Sequence, residues 1–418
     1  MKILRGCGIW ISLFLLAACH HTSNPYHTPK SSKKTPEVPI VSATFPAFHG
    51  IVIDGPYDVL FKGSNGAYRI SATGDKGIID HSTAHLEGDS LVIRFHSETL
   101  SSKKENTWTS SMPVQVVVEA PLPKEITIQR GKRIYLEKIT IPHLSLRAQS
   151  GEITVLNAFG GEANYNLSGG TRLIGNCMNT KHLTIEASQH ANVQLKCLTV
   201  DTLNLKASNN AHMEVTGQAH TLQVNLTGNS TLEGEDIRAG HVDLTTSANS
   251  QSTWQKQNVG WMNVMGEGHS QTVVNGDVSV LSGILKGYAE LLVPQGNIHE
   301  LKIHLDGLSV LEFSSWKPKH ISVRGDGHSY IRLKGRTERL DGELQGSAKL
   351  DSICLKTPTV FVKTWNQAEA RVRNDHGLSA VAHEESNIYY YQDPKMVAAY
   401  LRSSGSVIRM TSLVQVRC

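Results

Sequence analysis

The stretch "ASQHANVQL" occupies residues 187–195, and "ASNNAHMEV" follows about twenty residues later, at residues 207–215. Both read Ala-Ser, two polar residues, Ala, a polar residue, and then an alternating apolar pair. A repeat unit this short cannot bury its own apolar face, so successive units must stack and share one core. The interval between these two stretches therefore decides the fold.

The same pattern recurs along most of the chain. Each unit begins with two apolar residues separated by one residue, as in Leu183/Ile185, and a second such pair follows, as in Val193/Leu195. Alternation with a period of two is typical of β-strands. Nearly all unit starts lie 19 or 20 residues apart: Leu144, Ala163, Leu183, Leu203, Leu222, Val242, Met262, Leu281, Leu301, Ile321, Leu340, Val360 and Leu378.

Glycine and asparagine dominate the seventh place of successive units. These residues adopt positive φ at the least cost, so the polar stretch is predicted to be a turn with left-handed backbone at this place. The seventh places are Gly169, Gln189, Asn209, Gly228, Ala248, Gly268, Gly287, Gly307, Gly327, Gly346 and Asn366.

The residues at the eighth and ninth places of each unit predict which side chains of the turn face solvent and which face the core. A small residue recurs at the ninth place, as at Ala191 and Ser230, and indicates a tight corner that faces inward. The eighth place is predicted to point outward as a stack. Its histidines are expected to be solvated rather than metal ligands, because a metal site needs converging partners. The eighth-place residues are His190, Asn210, Asn229, Asn249, His269 and His328.

These observations predict an all-β fold, a single-stranded parallel β-solenoid (β-helix) with about 20 residues per coil, capped at both ends. Right-handedness follows from the general rule for parallel crossovers. The repeats are assigned to residues 144–387, and exposed strand edges must be covered at each end. Residues 41–143 and 388–418 are the predicted caps, and "DPKMVAAYLRS" (393–403) is predicted to hold a short helical turn after Pro394.

The amino terminus carries the features of a targeting segment. Lys2 and Arg5 precede an apolar run that is too short to span a bilayer. The run ends in Leu16-Ala17-Ala18-Cys19, which resembles the lipobox of bacterial lipoproteins. This resemblance implies a signal peptide at 1–18 and acylation of Cys19, and His20 favours sorting to the Gram-negative outer membrane. Residues 19–40 are rich in Pro, Ser, Lys and His and are predicted to be a disordered tether.

Motifs outside the repeats resemble the head-GIN family of autotransporter-adhesin-like domains. They are Phe48-x-x-Ile51-x-Ile53-x-Gly55, Asp58-Val59, Arg69-Ile70-x-x-x-Gly74-Asp75, Leu91-Val92-Ile93, Ile388 to Pro394, and Ser404-Gly405-Ser406-Val407. The resemblance covers residues 45–410. The chain departs from the family in having Gln392-Asp393 where a glycine is usual and in its longer array. The resemblance implies a β-solenoid protein of the cell envelope.

Two pairs of cysteines are candidates for cross-links. Cys177 and Cys197 hold the same place in adjacent units, so a disulfide is within reach, and a pair of reduced core thiols is the alternative. Cys354 shares their phase but lies about eight coils away. It could reach Cys418 only if the C-terminal tail folds back.

An acidic pair, Asp306 and Asp326, occupies one column in adjacent units. Residues in one column of adjacent coils lie about 5 Å apart. Two carboxylates at this distance would suit a retaining glycosidase or begin a Ca²⁺ site, and β-solenoids are also a scaffold for polysaccharide lyases. No other acid, base or arginine is expected beside the pair, and its column is a solvent-facing turn place. The chain is therefore predicted to be non-catalytic, with no metal and no cofactor.

The leading functional hypothesis is a lipid-anchored envelope protein whose rigid solenoid displays a binding or adhesion surface. Its expected partners are the membrane, through the anchor, and a glycan or an envelope or host protein. A structural envelope scaffold and a polysaccharide-active β-helix enzyme are the alternatives. The net charge of +4, about +2 without Lys2 and Arg5, and the absence of nucleic-acid-binding motifs exclude nucleic acid. No sugar platform is predicted, because four tryptophans share no column: Trp254, Trp261, Trp316 and Trp365.

Overall fold

A computed structural model gives the structure of residues 38–96, 113–315 and 318–411. The chain is 72% strand and forms a parallel β-solenoid of about 14 coils with roughly 20 residues per coil, which confirms the predicted fold class. The predicted signal peptide, Cys19, Trp316 and Cys418 lie outside the described residues. Right-handedness stays a prediction.

Successive units stack in the predicted register. Leu183 pairs with Leu203, and Leu203 pairs with Leu222, in parallel ladders. The same pairing of unit starts runs from Leu144 to Leu378. Side chains at the first places face inward, and together they form one continuous hydrophobic core along the coils.

One corner of each coil, called here the turn corner, is formed by the polar stretch. The predicted left-handed backbone is confirmed at all eleven seventh places, where φ lies between 52° and 76°. The inward ninth place is also confirmed, since Ala191 and Ser230 are both 0% exposed. The Ser230 hydroxyl donates to the carbonyl of Thr227 at 2.9 Å, so a buried polar group at this corner is satisfied locally.

A second corner, called here the bulge corner, separates the two strand segments of each coil. The pairing register shifts at this corner, for example between Leu195 and Leu198. Apart from glycine in three coils, no residue type recurs there, so the sequence pattern of successive units does not reveal this corner. Several of its residues are non-glycine residues with φ between 48° and 57°: Lys138, Asn157, Cys177, Cys197, Asp236 and Lys256.

Three coils that are one residue shorter carry glycine at the bulge corner. Gly217, Gly276 and Gly335 have φ of 134°, 132° and 111°. A Cβ added to them would lie 2.4, 2.3 and 1.9 Å from a backbone atom of the preceding coil, so only glycine fits. They lie 59 residues apart (276 − 217 = 59 and 335 − 276 = 59), and each interval spans three coils.

The amino-terminal elements comprise eight strands and one helix. Their bounds are β1 Val38–Pro39, β2 Ser42–Thr44, β3 Gly50–Asp54, β4 Tyr57–Gly63, β5 Arg69–Thr73, α1 Lys76–Asp80, β6 Ser82–Glu87, β7 Ser90–Phe95 and β8 Val114–Ala120.

The strands of the solenoid body follow. Where a coil forms one long strand, that strand passes through the bulge corner. Their bounds are β9 Glu125–Arg130, β10 Arg133–Glu137, β11 Thr140–Ala148, β12 Glu152–Leu156, β13 Phe159–Leu167, β14 Arg172–Asn176, β15 Asn179–Ala187, β16 Asn192–Ala207, β17 His212–Leu226, β18 Thr231–Thr246, β19 Gln251–Gly266, β20 Gln271–Leu285, β21 Glu290–Leu305, β22 Val310–Ser315, β23 His320–Gly325, β24 Tyr330–Arg336, β25 Arg339–Leu344, β26 Lys349–Thr364, β27 Glu369–His383, β28 Asn387–Tyr391, β29 Met396–Arg402 and β30 Ser406–Met410.

The amino-terminal end is closed by a change of strand direction. The parallel ladders continue into β3 and β7 on one side and into β4 and β8 on the other. Strands β6 and β5 then pair antiparallel to β7 and β8, and the short strands β1 and β2 finish the two edges. Helix α1 joins β5 to β6 and buries Ile78 and Ile79, so it covers the end of the core.

The carboxy-terminal part of the array differs from the prediction. Residues 393–403 hold a strand, β29, rather than a helical turn, because β29 pairs in parallel with β27. Tertiary pairing therefore overrides the helix propensity of its alanines. Strand β30 pairs likewise with β28. Residues 387–410 thus add another coil and do not cover the preceding one with a different structure.

Candidate binding surface

A cluster of exposed apolar side chains, called here the central patch, lies on three successive coils. It consists of Trp261, Met265, Ile284, Tyr288 and Leu308, which are between 41% and 51% exposed. Met265 and Ile284 are directly paired residues of β19 and β20. Tyr288 and Leu308 hold the eighth place at the turn corner of their coils, where the five coils before Tyr288 carry histidine or asparagine.

Strand alternation explains why these side chains face solvent. In β20, Leu281 and Leu285 are buried, with 0% and 1% exposure, and Ile284 therefore points to the opposite face. The outward places of other coils are mostly polar. A single apolar residue at an outward place needs no explanation, whereas several on neighbouring coils indicate an interaction surface.

The aromatic rings of the central patch are held by neighbouring side chains. Tyr288 stacks on His269 with ring centroids 4.5 Å apart and planes 5° apart. Trp261 meets His241 edge-to-face at 5.7 Å, and its indole N–H donates to Ser282 Oγ at 2.9 Å. These contacts fix the ring orientations before any ligand arrives, which reduces the entropy lost on binding.

A polar ladder leads along the turn corner toward the central patch. Asn210 Nδ2 lies 3.4 Å from His190 Nε2, and Asn249 Nδ2 donates to Asn229 Oδ1 at 3.2 Å. The predicted outward stack at the eighth place is thus confirmed in these coils. The ladder offers hydrogen-bonding groups at the spacing of the coils, about 4.8 Å.

The acidic pair has charged neighbours that the sequence analysis missed. Asp326 lies 2.8 Å from His304 Nε2 and accepts from Arg324 Nε at 3.2 Å. The expectation that no base or arginine falls beside the pair is wrong, because strand alternation puts residues two places earlier on the same face. Asp306 is exposed. The resulting arrangement at Asp326 is an ion-pair cluster in which the carboxylate is already occupied.

A second ion-pair cluster lies on the same two strands, β21 and β23, and on the next strand, β25. His320 Nε2 is 2.8 Å from Asp341, and Lys302 Nζ is 2.7 Å from Glu300. The hydrogen bond from Lys302 lowers the pKa of Glu300 below its ordinary value. Among the described residues no group of three His, Cys, Asp or Glu side chains could hold a metal ion.

The cysteines lie at the bulge corner. Cys177 and Cys197 are free thiols in the structure, and their disulfide stays a prediction. The hydrogen bond between the two thiols raises the pKa of Cys177. Cys354 is disulfide-bonded, and Cys418, which it could reach only through a folded-back tail, lies outside the described residues.

Comparison with known proteins identifies a family. The model of the family "Putative auto-transporter adhesin, head GIN domain" matches residues 47–276 and 262–394, which together span most of the chain. No curated protein matches the chain. No helix among the described residues has the length and apolar character needed to cross a membrane.

Three solved structures are similar to the chain. A putative adhesin from Bacteroides fragilis has 14% identity and a TM-score of 0.31, covering 65% of this chain and 95% of that one. A putative adhesin from Parabacteroides merdae has 14% identity and a TM-score of 0.21, with coverages of 88% and 95%. A putative lipid binding protein from Parabacteroides distasonis has 12% identity and a TM-score of 0.21, with coverages of 88% and 96%. Likenesses this distant carry no argument about what this chain binds.

Proposed function

This chain belongs to the head-GIN domain family, and we propose that it is a non-catalytic binding protein of the bacterial cell envelope. It is anchored by lipid at Cys19, and a tether that ends at the start of β1 holds the solenoid away from the outer membrane. The tether predicted for residues 19–40 is shortened at its end, because Val38 and Pro39 pair with β6 and Ile40 is buried in the core. The central patch is the surface that contacts the partner.

The distribution of exposed apolar residues is the observation that carries this proposal. The described residues include 14 large hydrophobic side chains that are exposed, and five of them fall on the three coils of the central patch. Within it, Met265 pairs with Ile284, and Tyr288 and Leu308 hold the same place in adjacent coils. Single exposed apolar residues are ordinary, whereas a contiguous patch with a polar rim is typical of an interaction site. Aromatic and methionine side chains are also enriched where protein surfaces meet partners.

The chemistry of the central patch fits a protein of the envelope or host, or a glycan. Met265, Ile284 and Leu308 suit the apolar side chains of a protein partner. The exposed faces of Trp261 and Tyr288 could also stack on a sugar ring, with the polar ladder supplying hydrogen bonds beside it.

A polysaccharide-active enzyme is the alternative that the acidic pair would support. The contacts of Asp326 argue against it, since His304 and Arg324 hold its carboxylate in an ion-pair cluster. Such clusters are also ordinary features of stacked strands. A structural scaffold, the second alternative, would have no need for the central patch.

The test is binding of the full chain to arrays of bacterial and host glycans and of envelope proteins. A double variant, Trp261→Ala/Tyr288→Ala, should lose binding at least tenfold, because truncation of aromatic anchors typically removes more than about 1 kcal/mol each. Phe159→Ala is a matched control, since Phe159 is 52% exposed but lies outside the central patch.

A third variant, Asp306→Ala/Asp326→Ala, separates the enzyme from the binding protein. We expect binding to be unchanged and no polymer cleavage by either form. Cleavage that is lost in this variant, or binding that the aromatic double variant retains in full, would contradict the proposal.

A further inference from the structure

The carboxy-terminal coil of the described chain, residues 396–410, is called here the terminal coil, and it consists of β29, a turn and β30. We propose that this end of the solenoid docks against the same end of a second copy of the chain. The inference goes beyond the proposed function and rests on different residues.

The hydrophobic core is open at the terminal coil. Val397 and Leu401 pair with Leu378 and Ala382, which are 2% and 0% exposed, and therefore hold inward places. Val397 and Leu401 are nevertheless 45% and 52% exposed. Within the part of the chain that the structure describes, no further coil lies above these inward side chains, and they are exposed for that reason.

Other apolar side chains of the terminal coil are also exposed. Met396 is 72% and Tyr400 is 60% exposed, and Ile408 and Met410 follow at 39% and 37%. With Val397 and Leu401, they make this end the richest in exposed large hydrophobic side chains among the described residues. Burial of such an area is strongly favourable.

The backbone of the terminal coil is open as well. Strand β29 pairs with β27, and β30 pairs with β28, so among the described residues each has a partner on one side only. An unpaired row of N–H and C=O groups is a template for another strand. A structure that covers this end must bury the exposed inward side chains and pair with the open strand edges, and another pair of strands does both.

A second copy fits this requirement through the terminal coil alone. At the amino-terminal end, α1 and the antiparallel strands cover the core, and among the described residues the strands with a partner on one side only are the short β1 and β2, of two and three residues. Head-to-tail stacking therefore finds no ladder there as long as those of β29 and β30. A two-fold axis through β29 and β30 brings each strand antiparallel to its own copy, which is an isologous contact. The terminal coil has 15 residues (396–410), which is about half to three quarters of the 20–30 residues per side of an ordinary interface.

The sequence of β29 suits self-pairing about Ala399. In that register Val397 faces Leu401 of the second copy, Ala399 faces itself, and Ala398 faces Tyr400. In each of these three pairs, the facing side chains are either both apolar or one large and one small, so they fit without a clash. Arg402 faces Met396, so like charges are not brought together. Arg409 is already paired with Asp393 at 3.0 Å.

The proposal is tested by cross-linking the full chain in the envelope of a bacterium that expresses it. Residues facing each other across an antiparallel pair have Cα atoms about 5 Å apart, within disulfide range. Ala399→Cys should therefore form a covalent dimer on mild oxidation. Ala380→Cys is the matched control, because Ala380 pairs with Ala399 one coil deeper and is 0% exposed.

Leu401→Lys in the Ala399→Cys background completes the design. Leu401 is half exposed, so the substitution leaves the fold intact but should abolish the dimer. The unsubstituted chain reports any background from the native thiols. A dimer that persists with Leu401→Lys, or that Ala380→Cys also forms, would overturn the proposal.

Maleimide labelling of Ala399→Cys distinguishes the other occupants when no dimer forms. A monomer that labels readily has a free end. A monomer that resists labelling is covered by a different structure, such as residues 412–418 or an unrelated protein. Either outcome overturns docking of a second copy.

Discussion

The two ends of the solenoid finish the same parallel ladders in different ways. At the amino-terminal end, β5 and β6 reverse strand direction and α1 buries Ile78 and Ile79 over the core. At the other end, the terminal coil continues the parallel pairing and leaves Val397 and Leu401 half exposed. Adding one more parallel coil leaves a new open end one strand spacing further on. Antiparallel strands and a helix, in contrast, cover the end of the core.

The largest expected effect of this difference comes from Ile79→Ala. Ile79 is 7% exposed, and truncation of a buried aliphatic side chain lowers the free energy of unfolding by about 2–5 kcal/mol. Leu401→Ala, at 52% exposure, should lower it by less than about 1 kcal/mol in the monomer. Denaturant titration of both variants at low protein concentration measures the contrast. Equal losses would show that the two ends are equally well covered.

The next largest effect is a pH dependence of the free energy of unfolding, which arises from Tyr57 at the amino-terminal end. Tyr57 is buried and donates to Ser82 Oγ at 2.7 Å, and the Ser82 hydroxyl donates to the carbonyl of Ile78 in α1 at 2.6 Å. Burial raises the pKa of Tyr57 from 10.0 to about 12. The unfolded chain therefore ionises first as pH rises.

This linkage has a definite sign. The contribution of neutral Tyr57 is fully present below pH 10, and about 2–3 kcal/mol is lost as pH rises to 12. Tyr57→Phe cannot ionise, so its free energy of unfolding should fall less steeply between pH 10 and 12. Denaturant titrations at several pH values measure the slope, and identical slopes for the two proteins would contradict the assignment.

A smaller effect is expected at the start of α1. The Asp75 side chain caps the helix by accepting from the Ile78 N–H at 3.2 Å. Asp75→Ala should destabilise the chain by about 1 kcal/mol, and Asp75→Ser should restore most of that because serine also caps helices. Thermal unfolding measures both. A serine variant as unstable as the alanine variant would mean that the cap is not the cause.

The smallest effect is expected from Asp393→Ala at the open end. Asp393 is 79% exposed and pairs with Arg409 at 3.0 Å. Exposed ion pairs contribute about 0–1 kcal/mol, so stability should hardly change. Thermal unfolding at low and high salt checks this, and a salt-dependent loss larger than that of Asp75→Ala would reverse the ranking of the two ends.

The sequence predicts the parts of the fold that depend on one recurring residue type. The left-handed turn corner could be predicted because glycine and asparagine recur at one place, as at Gly268 and Asn209. The bulge corner could not, because Cys197, Asp236 and Lys256 have nothing chemical in common. The strand β29 was missed because its Ala-Ala pair favours a helix locally, while pairing with β27 is not visible in the sequence.

The central patch was missed for a related reason. Trp261 and Tyr288 lie at different places of their repeats, so a search for one aromatic column does not find them. The usable signal was Ile284 and Leu308, which are apolar residues at places that the repeat assigns to solvent. Exposure of a side chain depends on its register in the coil rather than on its residue type alone.

The glycine spacing of 59 residues bears on how this chain could have grown. Between Leu203 and Leu340, Gly217, Gly276 and Gly335 each mark one short coil in every three, so in this part of the array the unit that recurs is a block of three coils. If the gene segment for one such block is duplicated, the coils on either side of the new block stack on a coil of the same length as before. The register between neighbouring coils is therefore kept. Homologous genes that differ by whole coils are accordingly expected to differ in length by multiples of one block.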